Sequence, residues 1–438
     1  MIIKNVTNRN GERIDITIEK SRITAVTPVE GTALQESLKI PAGGSLGESL
    51  KKETTSSGYE KKVDAAKACA SGNTDPQNGA LSLSSSDVLD AKGFVVLPSF
   101  VDTHTHLDKT TTGMDWYVND NAPELSSWVV NERNRRTELG IDPYRQACRL
   151  IERDIAQGTI GIRSHVDIDL EHGLTLLDGV MQAREDYKDR AHIELVAFPQ
   201  SGIVARPGTC ELMRDAMRIG ADLVGGIDPA LMDHDPVAGV NAIFKLAEEA
   251  DRPIDIHLHE PGHLGAFTMG LIIDRTKALS MEGRVTISHA FCLGYPEPGL
   301  AEPLIERLKD AQISITTDGQ AYIKYVPSVM QLIQAGVLIC GGNDNVRDMW
   351  SPYGSGDMLE RAMLIAMRNG LRRDDLLLHV LDICTENGAK LLGLPDYGIA
   401  PGCDASFVLA RAHCAAEAVA QVPRGADRIV FNHGKRLG

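Results

Sequence analysis

From Phe94 onward the sequence repeats one pattern: a short run of β-branched and other apolar residues, then a longer amphipathic stretch able to form a helix. Eight such runs occur, namely VVLPSFVDTHTH, IGIRSHVDI, IELVAFPQSG, ADLVGGIDP, IDIHLHE, VTISHAF, ISITTD and VLICGGNDN. Alternation of this kind marks βα units, whose parallel strands are covered on both faces and so read as continuous apolar runs. Eight repeats predict an α/β fold, a (β/α)8 TIM barrel. Polar residues gather at the ends of the runs: His104, His106, His165, Gln200, His257, Glu260, His289 and Asp344. Barrel enzymes keep their chemistry at the C-terminal mouth, and a polar side chain deeper inside would lose its hydration.

The chain of 438 residues is longer than one compact domain needs, although a barrel can use most of it. Residues 1 to about 30 read as short strands broken by turn residues, and from about 32 to 86 a Gly-, Ser-, Lys- and Ala-rich stretch shows no sustained period of 2 or 3.6. After Leu394 strand-like segments return in ASFVLA and DRIVFNHGK. The expected division is therefore residues 1–96 and 395–438 as the two parts of a smaller β-sandwich domain built from both chain termini, with an insertion at about 32–86, and residues 97–394 as the catalytic barrel.

Composition narrows the partners. A formal net charge of −15 disfavours nucleic-acid phosphates and anionic lipid, which both require a surplus of Lys and Arg. The start, MIIKNVTNRN, lacks the apolar core of a signal peptide, and no run reaches about 18 apolar residues. A cytoplasmic protein is expected, with its eight scattered cysteines reduced, a small-molecule substrate, and a homo-oligomer as a plausible assembly.

His104 and His106 sit two apart on the first run, so an extended backbone points both imidazoles to one side. A catalytic zinc or ferrous ion takes three or more protein ligands from imidazole and carboxylate donors, and His257 and Asp344 supply the remainder. A His-X-His pair alone is also compatible with structural hydrogen bonds; its context here is the neighbouring Asp102 and Asp108 and a second pair, His257 and His259. A bound dication brings the pKa of its water to about 7, and a hydrolysis carried out by that water also requires a proton donor for the leaving group. Glu260, three residues beyond His257, is placed for that transfer, with a solvated loop carboxylate as the alternative. His289 could hold the attacking water or be a buried histidine satisfied by backbone, and Asp344 could take a proton as well as bind the ion, or cap a turn.

Taken in order, LPSFVDTHTHLDKT, SHVDI, LVAFPQSG, IDIHLHE, ISHAF and GGNDNVRDMWSPYG resemble the motifs of bacterial cytosine deaminases, within the amidohydrolase superfamily. The resemblance runs from about Pro98 to Gly398. It implies a distorted barrel with one ion, iron or zinc, on His104, His106, His257 and Asp344. It further implies proton transfer by Glu260, contact of His289 with hydroxide or substrate, an amide-edge hydrogen bond from Gln200, and a pocket wall at Trp350. The implied reaction is hydrolytic deamination of a heterocyclic amine.

Three departures bear on the substrate. Asn345 stands where the family has a second aspartate, which changes an acceptor-only group into a mixed one. Asp228 and Pro229 replace the polar end of the fourth strand, which brings a carboxylate toward the ligand. The segment GQAYIKYVPSVMQL is shorter than the family's loop, which implies a more open pocket and admits larger rings such as pterin or isoguanine. Superfamily hydrolases of cyclic amides or N-alkyl aminotriazines form a second reading, and a metal-binding barrel without turnover a third. The fourth run carries no lysine to bridge two metals, which favours the one-metal type.

Overall fold

A computed structural model describes residues 1–29, 88–120, 124–321 and 323–437 of the protein, so the expected insertion at about 32–86 lies outside the described residues. The first strands are β1 (Ile2–Thr7), β2 (Arg13–Glu19), β3 (Arg22–Pro28), β4 (Val88–Asp90) and β5 (Phe94–Pro98). The barrel strands follow: β6 (Phe100–Thr105), β7 (Thr159–Asp167), β8 (His192–Phe198), β9 (Leu223–Ile227), β10 (Ile254–His257), β11 (Val285–Ser288), β12 (Ser314–Thr317) and β13 (Ile339–Gly341). The chain ends with β14 (Phe407–Arg411), β15 (Arg428–Asn432) and β16 (Lys435–Leu437).

Both termini contribute to one mixed sheet in the order β16-β15-β14-β5-β1-β2-β3, with β4 beside β1. Its alternation is visible in β2, where Ile14, Ile16 and Ile18 are buried while Arg13, Asp15 and Thr17 are less so. A period of 2 places those isoleucines on one face, against Phe94, Phe407 and Phe431 in a separate small core.

Strands β6 to β13 pair in sequence order, all parallel. The run VVLPSFVDTHTH is two strands rather than one. Phe94–Pro98 pairs antiparallel with β14 in the small sheet, whereas Phe100 pairs parallel with Thr159 in the barrel. Proline has no N–H for a ladder, so Pro98 suits the end of β5, next to the crossover.

The barrel closes through a parallel bridge between Thr105 and Asp344, and the Asp344 N–H donates to the His104 carbonyl at 2.7 Å. Closure demands close approach. A Cβ on Gly342 would lie 2.5 Å from His104 Cβ, so only glycine lets the chain after β13 pass this near β6. Helices cover the outside. Pro143–Ala156 begins at Asp142, whose side chain accepts from the Arg145 N–H, has Pro143 in its first turn, and buries Ala147, Leu150, Ile151 and Ile155 along one stripe. No helix among the described residues is long and apolar enough to cross a membrane, and the described cysteines are free thiols.

Candidate metal centre

The polar strand ends meet at the barrel mouth. His104 lies on β6 and His106 just beyond it, His257 ends β10, His289 follows β11, and Asp344 closes the ring after β13. Donor atoms of His104, His257, His289 and Asp344 lie within 4.8 Å of one another, and all four residues are buried. His106 adjoins the same carboxylate: its Nε2 is 3.3 Å from Asp344 Oδ1, and His104 Nε2 is 3.4 Å from that oxygen. Two of these residues, with φ of +57° at Asp344 and +69° at His289, sit at strained ends, as does Asp228 behind them at +36°. Non-glycine residues hold such angles only where their surroundings impose them.

The ring nitrogens report what the cluster is for. His104 Nε2, both nitrogens of His257 and both of His289 are buried without a hydrogen-bond partner. Each such group costs about 1–3 kcal/mol unless something else satisfies it. A set of imidazole nitrogens with one carboxylate oxygen fits zinc or ferrous iron. Burial pushes His106 down to about 4 and His257 well below the usual imidazole range, so both are neutral, the form that ligates. Burial alone would raise the Asp344 carboxyl, but contacts with His104 and His106 outweigh it and hold the group well below the usual carboxylate range. His289 is the exception: burial lowers it, yet Asp318, Asp344 and Asp228 together leave it raised.

A cavity of about 400 Å³ opens on this cluster, within the range of small-molecule sites. His106, His257, Asp344 and Asn345 line it, together with Gln320, whose Nε2 donates to Asp344 Oδ2 at 2.6 Å. Phe198 stacks on His257 at 4.2 Å between ring centroids, and Phe291 stands 5.4 Å from His289. Half-buried Leu125, Trp128, Tyr295, Ile323 and Tyr325 complete an outer wall that is largely apolar. Trp350 lines the cavity too, tilted against Trp128, and its buried Nε1–H has no partner. The Asn345 amide donates to Asp348 Oδ2 at 2.6 Å.

Three expected residues stand behind this wall. Asp228 is fully buried and does not contact the cavity: its Oδ2 is 2.6 Å from His259 Nδ1, and its Oδ1 accepts the backbone N–H groups of His259 and Glu260. The bend after β9 turns the carboxylate toward the neighbouring loop, so it braces His259, which does line the cavity, instead of meeting a ligand. Glu260 accepts from the Ala230 N–H at 2.7 Å, the Leu231 N–H at 3.2 Å and the Thr268 hydroxyl. Burial raises its carboxyl above the usual range. Gln200 is buried, with Oε1 accepting from Lys109 Nζ and Nε2 donating to Glu132 at 3.2 Å.

Lys109 was not singled out by its sequence position, although it lies inside THLDKT. Its ammonium is fully buried beside Gln200, 3.2 Å from Asp167 Oδ1 and 3.4 Å from Glu132 Oε2, and 5.1 Å from the centre of the Trp350 ring. Arg136 binds Asp108 at 2.9 Å, Asp167 at 2.8 Å and Glu132. Two cations thus share three carboxylates under the cavity wall. Lys109 and Arg136 hold the Glu132 carboxyl below the usual range against its burial, whereas burial together with Asp108 and Glu132 raises Asp167 well above it. Lys109→Met is expected to destabilise the fold by about 3–5 kcal/mol, because it leaves buried carboxylates uncompensated. Urea unfolding of the variant measures this, and an unchanged midpoint would show that the network carries no such weight.

An array of imidazoles and one carboxylate at the mouth of a parallel barrel, with a second sheet made from both termini, defines a metal-dependent hydrolase. The sequence profile of the amidohydrolase family matches residues 87–428, and the chain belongs to that family, whose enzymes hydrolyse carbon–nitrogen bonds. Among curated relatives it is similar to N-isopropylammelide isopropyl amidohydrolase of Pseudomonas sp. (strain ADP), 33% identical over 333 residues, which is 74% of this chain and 81% of that protein. Among solved structures, N-isopropylammelide isopropylaminohydrolase from Burkholderia multivorans ATCC 17616 is 39% identical with a TM-score of 0.81, covering 99% of this chain and 97% of that one. The 5-methylcytosine deaminase from Klebsiella pneumoniae liganded with phosphonocytosine shares the fold at 23% identity and a TM-score of 0.76, covering 100% and 98%.

Proposed function

We propose that this enzyme hydrolyses the exocyclic carbon–nitrogen bond of an aminated nitrogen heterocycle, as a deaminase does, with one divalent ion, iron or zinc, on His104, His106, His257 and Asp344. The observation that carries this reading is the convergence of partnerless buried ring nitrogens and one ionised carboxylate beside a cavity sized for a small ring. When bound, the ion supplies a water whose pKa falls to about 7.

The protein's own groups then have separate tasks. Gln320 fixes the orientation of Asp344 through its Oδ2, which leaves Oδ1 for the histidines. His289 stands beside the same donors and is assigned to holding the water or the ring. Phe198 and Trp350, which both line the cavity, are assigned to its aromatic walls, and the partnerless Trp350 Nε1–H and the Asn345 Oδ1 are assigned to the polar edge of the ring. Gln200 is assigned to the amide edge of the ring, a role that requires its side chain to turn out of its bonds with Lys109 and Glu132 behind the cavity wall. Glu260 is assigned to carrying a proton to the departing nitrogen; its raised carboxyl suits that task, which requires the side chain to leave Ala230 and Leu231.

A second reading, release of an alkylamine from an N-alkylated ring, is favoured by the apolar outer wall of Leu125, Trp128, Ile323 and Tyr325 and by the 39% identity to the Burkholderia enzyme. The test is release of ammonia or alkylamine by metal-replete enzyme from cytosine, 5-methylcytosine, isoguanine, pterin, creatinine and N-isopropylammelide. Turnover of at least one ring is expected, and the product formed separates the two readings. A protein that carries its ion yet attacks none of the six would overturn both.

A further inference from the structure

The described residues contain a second group of possible metal donors, His104, His165 and Asp255, immediately beside the first. We infer that this group is not a second metal site but a support in which Asp255, acting through Ser288, holds His104 in the tautomer and orientation that bind the ion. The inference rests on the metal centre described above and deepens it.

Asp255 precedes His257 by two residues on β10, so the pleat points both side chains to the same side. Its Oδ1 is 2.8 Å from Ser288 Oγ, and Ser288 Oγ is 2.8 Å from His104 Nδ1. An ionised carboxylate can only accept, so the serine hydroxyl proton points at Asp255. Ser288 Oγ can then only accept from the imidazole, and the His104 proton must reside on Nδ1. His104 Nε2 is left with a lone pair, and it is this nitrogen that faces Asp344 at 3.4 Å and lacks any partner. Hydrogen bonds of this kind to the second nitrogen of a ligating histidine fix its tautomer and raise its basicity.

The charge on Asp255 is already balanced. Arg163 Nη1 lies 3.1 Å from Asp255 Oδ2, and the same guanidinium binds Glu194 at 2.8 Å and Thr286 at 3.2 Å. A second dication at His104, His165 and Asp255 would meet that fixed cation and would have to displace Ser288 from His104 Nδ1. His165 is packed between two ligand rings, 4.2 Å from His104 and 4.4 Å from His257 between centroids, with both of its own ring nitrogens buried without a hydrogen-bond partner, so the zinc stoichiometry below decides whether it too is a ligand.

The experiment compares wild-type protein with Ser288→Ala and Ser288→Thr, measuring zinc affinity by competition with a chelator, zinc stoichiometry, and the Tm of the metal-free proteins. Wild type should bind one zinc per chain. Ser288→Ala should bind it about 10- to 100-fold more weakly with a Tm like wild type's, and Ser288→Thr, which keeps the hydroxyl, should restore most of the affinity. Equal affinity in wild type and Ser288→Ala, or equal loss in both variants, would overturn the relay while leaving the metal centre intact. Two zinc ions per chain, one of them lost in Asp255→Asn, would overturn the assignment of the second group. A wild-type protein that binds no zinc or iron would remove the metal centre itself, and the relay with it.

Discussion

Asp344→Ala should lose both its ion and its turnover while remaining folded. Asp344 is the one carboxylate among the clustered donors, and its Oδ1 lies within 3.4 Å of both His104 and His106. Without it, a dication would sit among neutral imidazoles in a buried site with no negative charge in its first layer of contacts, which disfavours the charged species strongly. The barrel closure survives because it is made by the backbone N–H of residue 344 to the His104 carbonyl. Asp344→Asn separates charge from shape: it keeps a side-chain oxygen yet removes the charge, and weaker metal retention than wild type is expected. Metal analysis after dialysis, paired with an assay of released ammonia or amine, reads both variants. Retention of one equivalent of metal with ordinary turnover in Asp344→Ala would exclude this residue from the centre.

Glu260→Gln is expected to lower kcat by about 10²- to 10⁴-fold with metal content unchanged. The size of the effect follows from what a positioned acid–base group contributes, since glutamine keeps the shape and gives up the proton. The present arrangement makes this a discriminating substitution. With Oε1 bound by two backbone N–H groups and Oε2 by Thr268, Glu260 also anchors the loop of Ala230 and Leu231 to the strand end after β10. A purely anchoring role would show as a lower Tm with kcat nearly intact. A proton-transfer role shows as the reverse, and kcat against KM over a pH series distinguishes the two.

The barrel was readable because parallel strands buried on both faces leave contiguous apolar runs, and each of the eight runs contains one barrel strand. The seam inside VVLPSFVDTHTH was not, since Phe94–Leu97 and Phe100–Thr105 are buried alike and no periodicity separates them. His104, His106, His257, His289 and Asp344 announce themselves as polar residues at strand ends. That they share one point is a property of closure, which depends on Gly342 leaving room beside His104. Asp228 illustrates the limit: its position at a strand end was legible, but the left-handed backbone that turns its carboxylate onto His259 was not. Lys109 and the Asp255–Ser288 pair were missed for a different reason. Their partners lie at 132, 167 and 200 in one case and at 104 and 163 in the other, distances along the chain that no local pattern spans.

The most direct test of a single ion on three imidazoles and one aspartate is a crystal of the metal-replete enzyme, with anomalous diffraction collected at the iron and zinc absorption edges. One strong peak is predicted, about 2.0–2.2 Å from nitrogens of His104, His106 and His257 and from an oxygen of Asp344, with His289 facing it from outside that distance. No peak at either edge, or a peak bound by other side chains, would contradict the account.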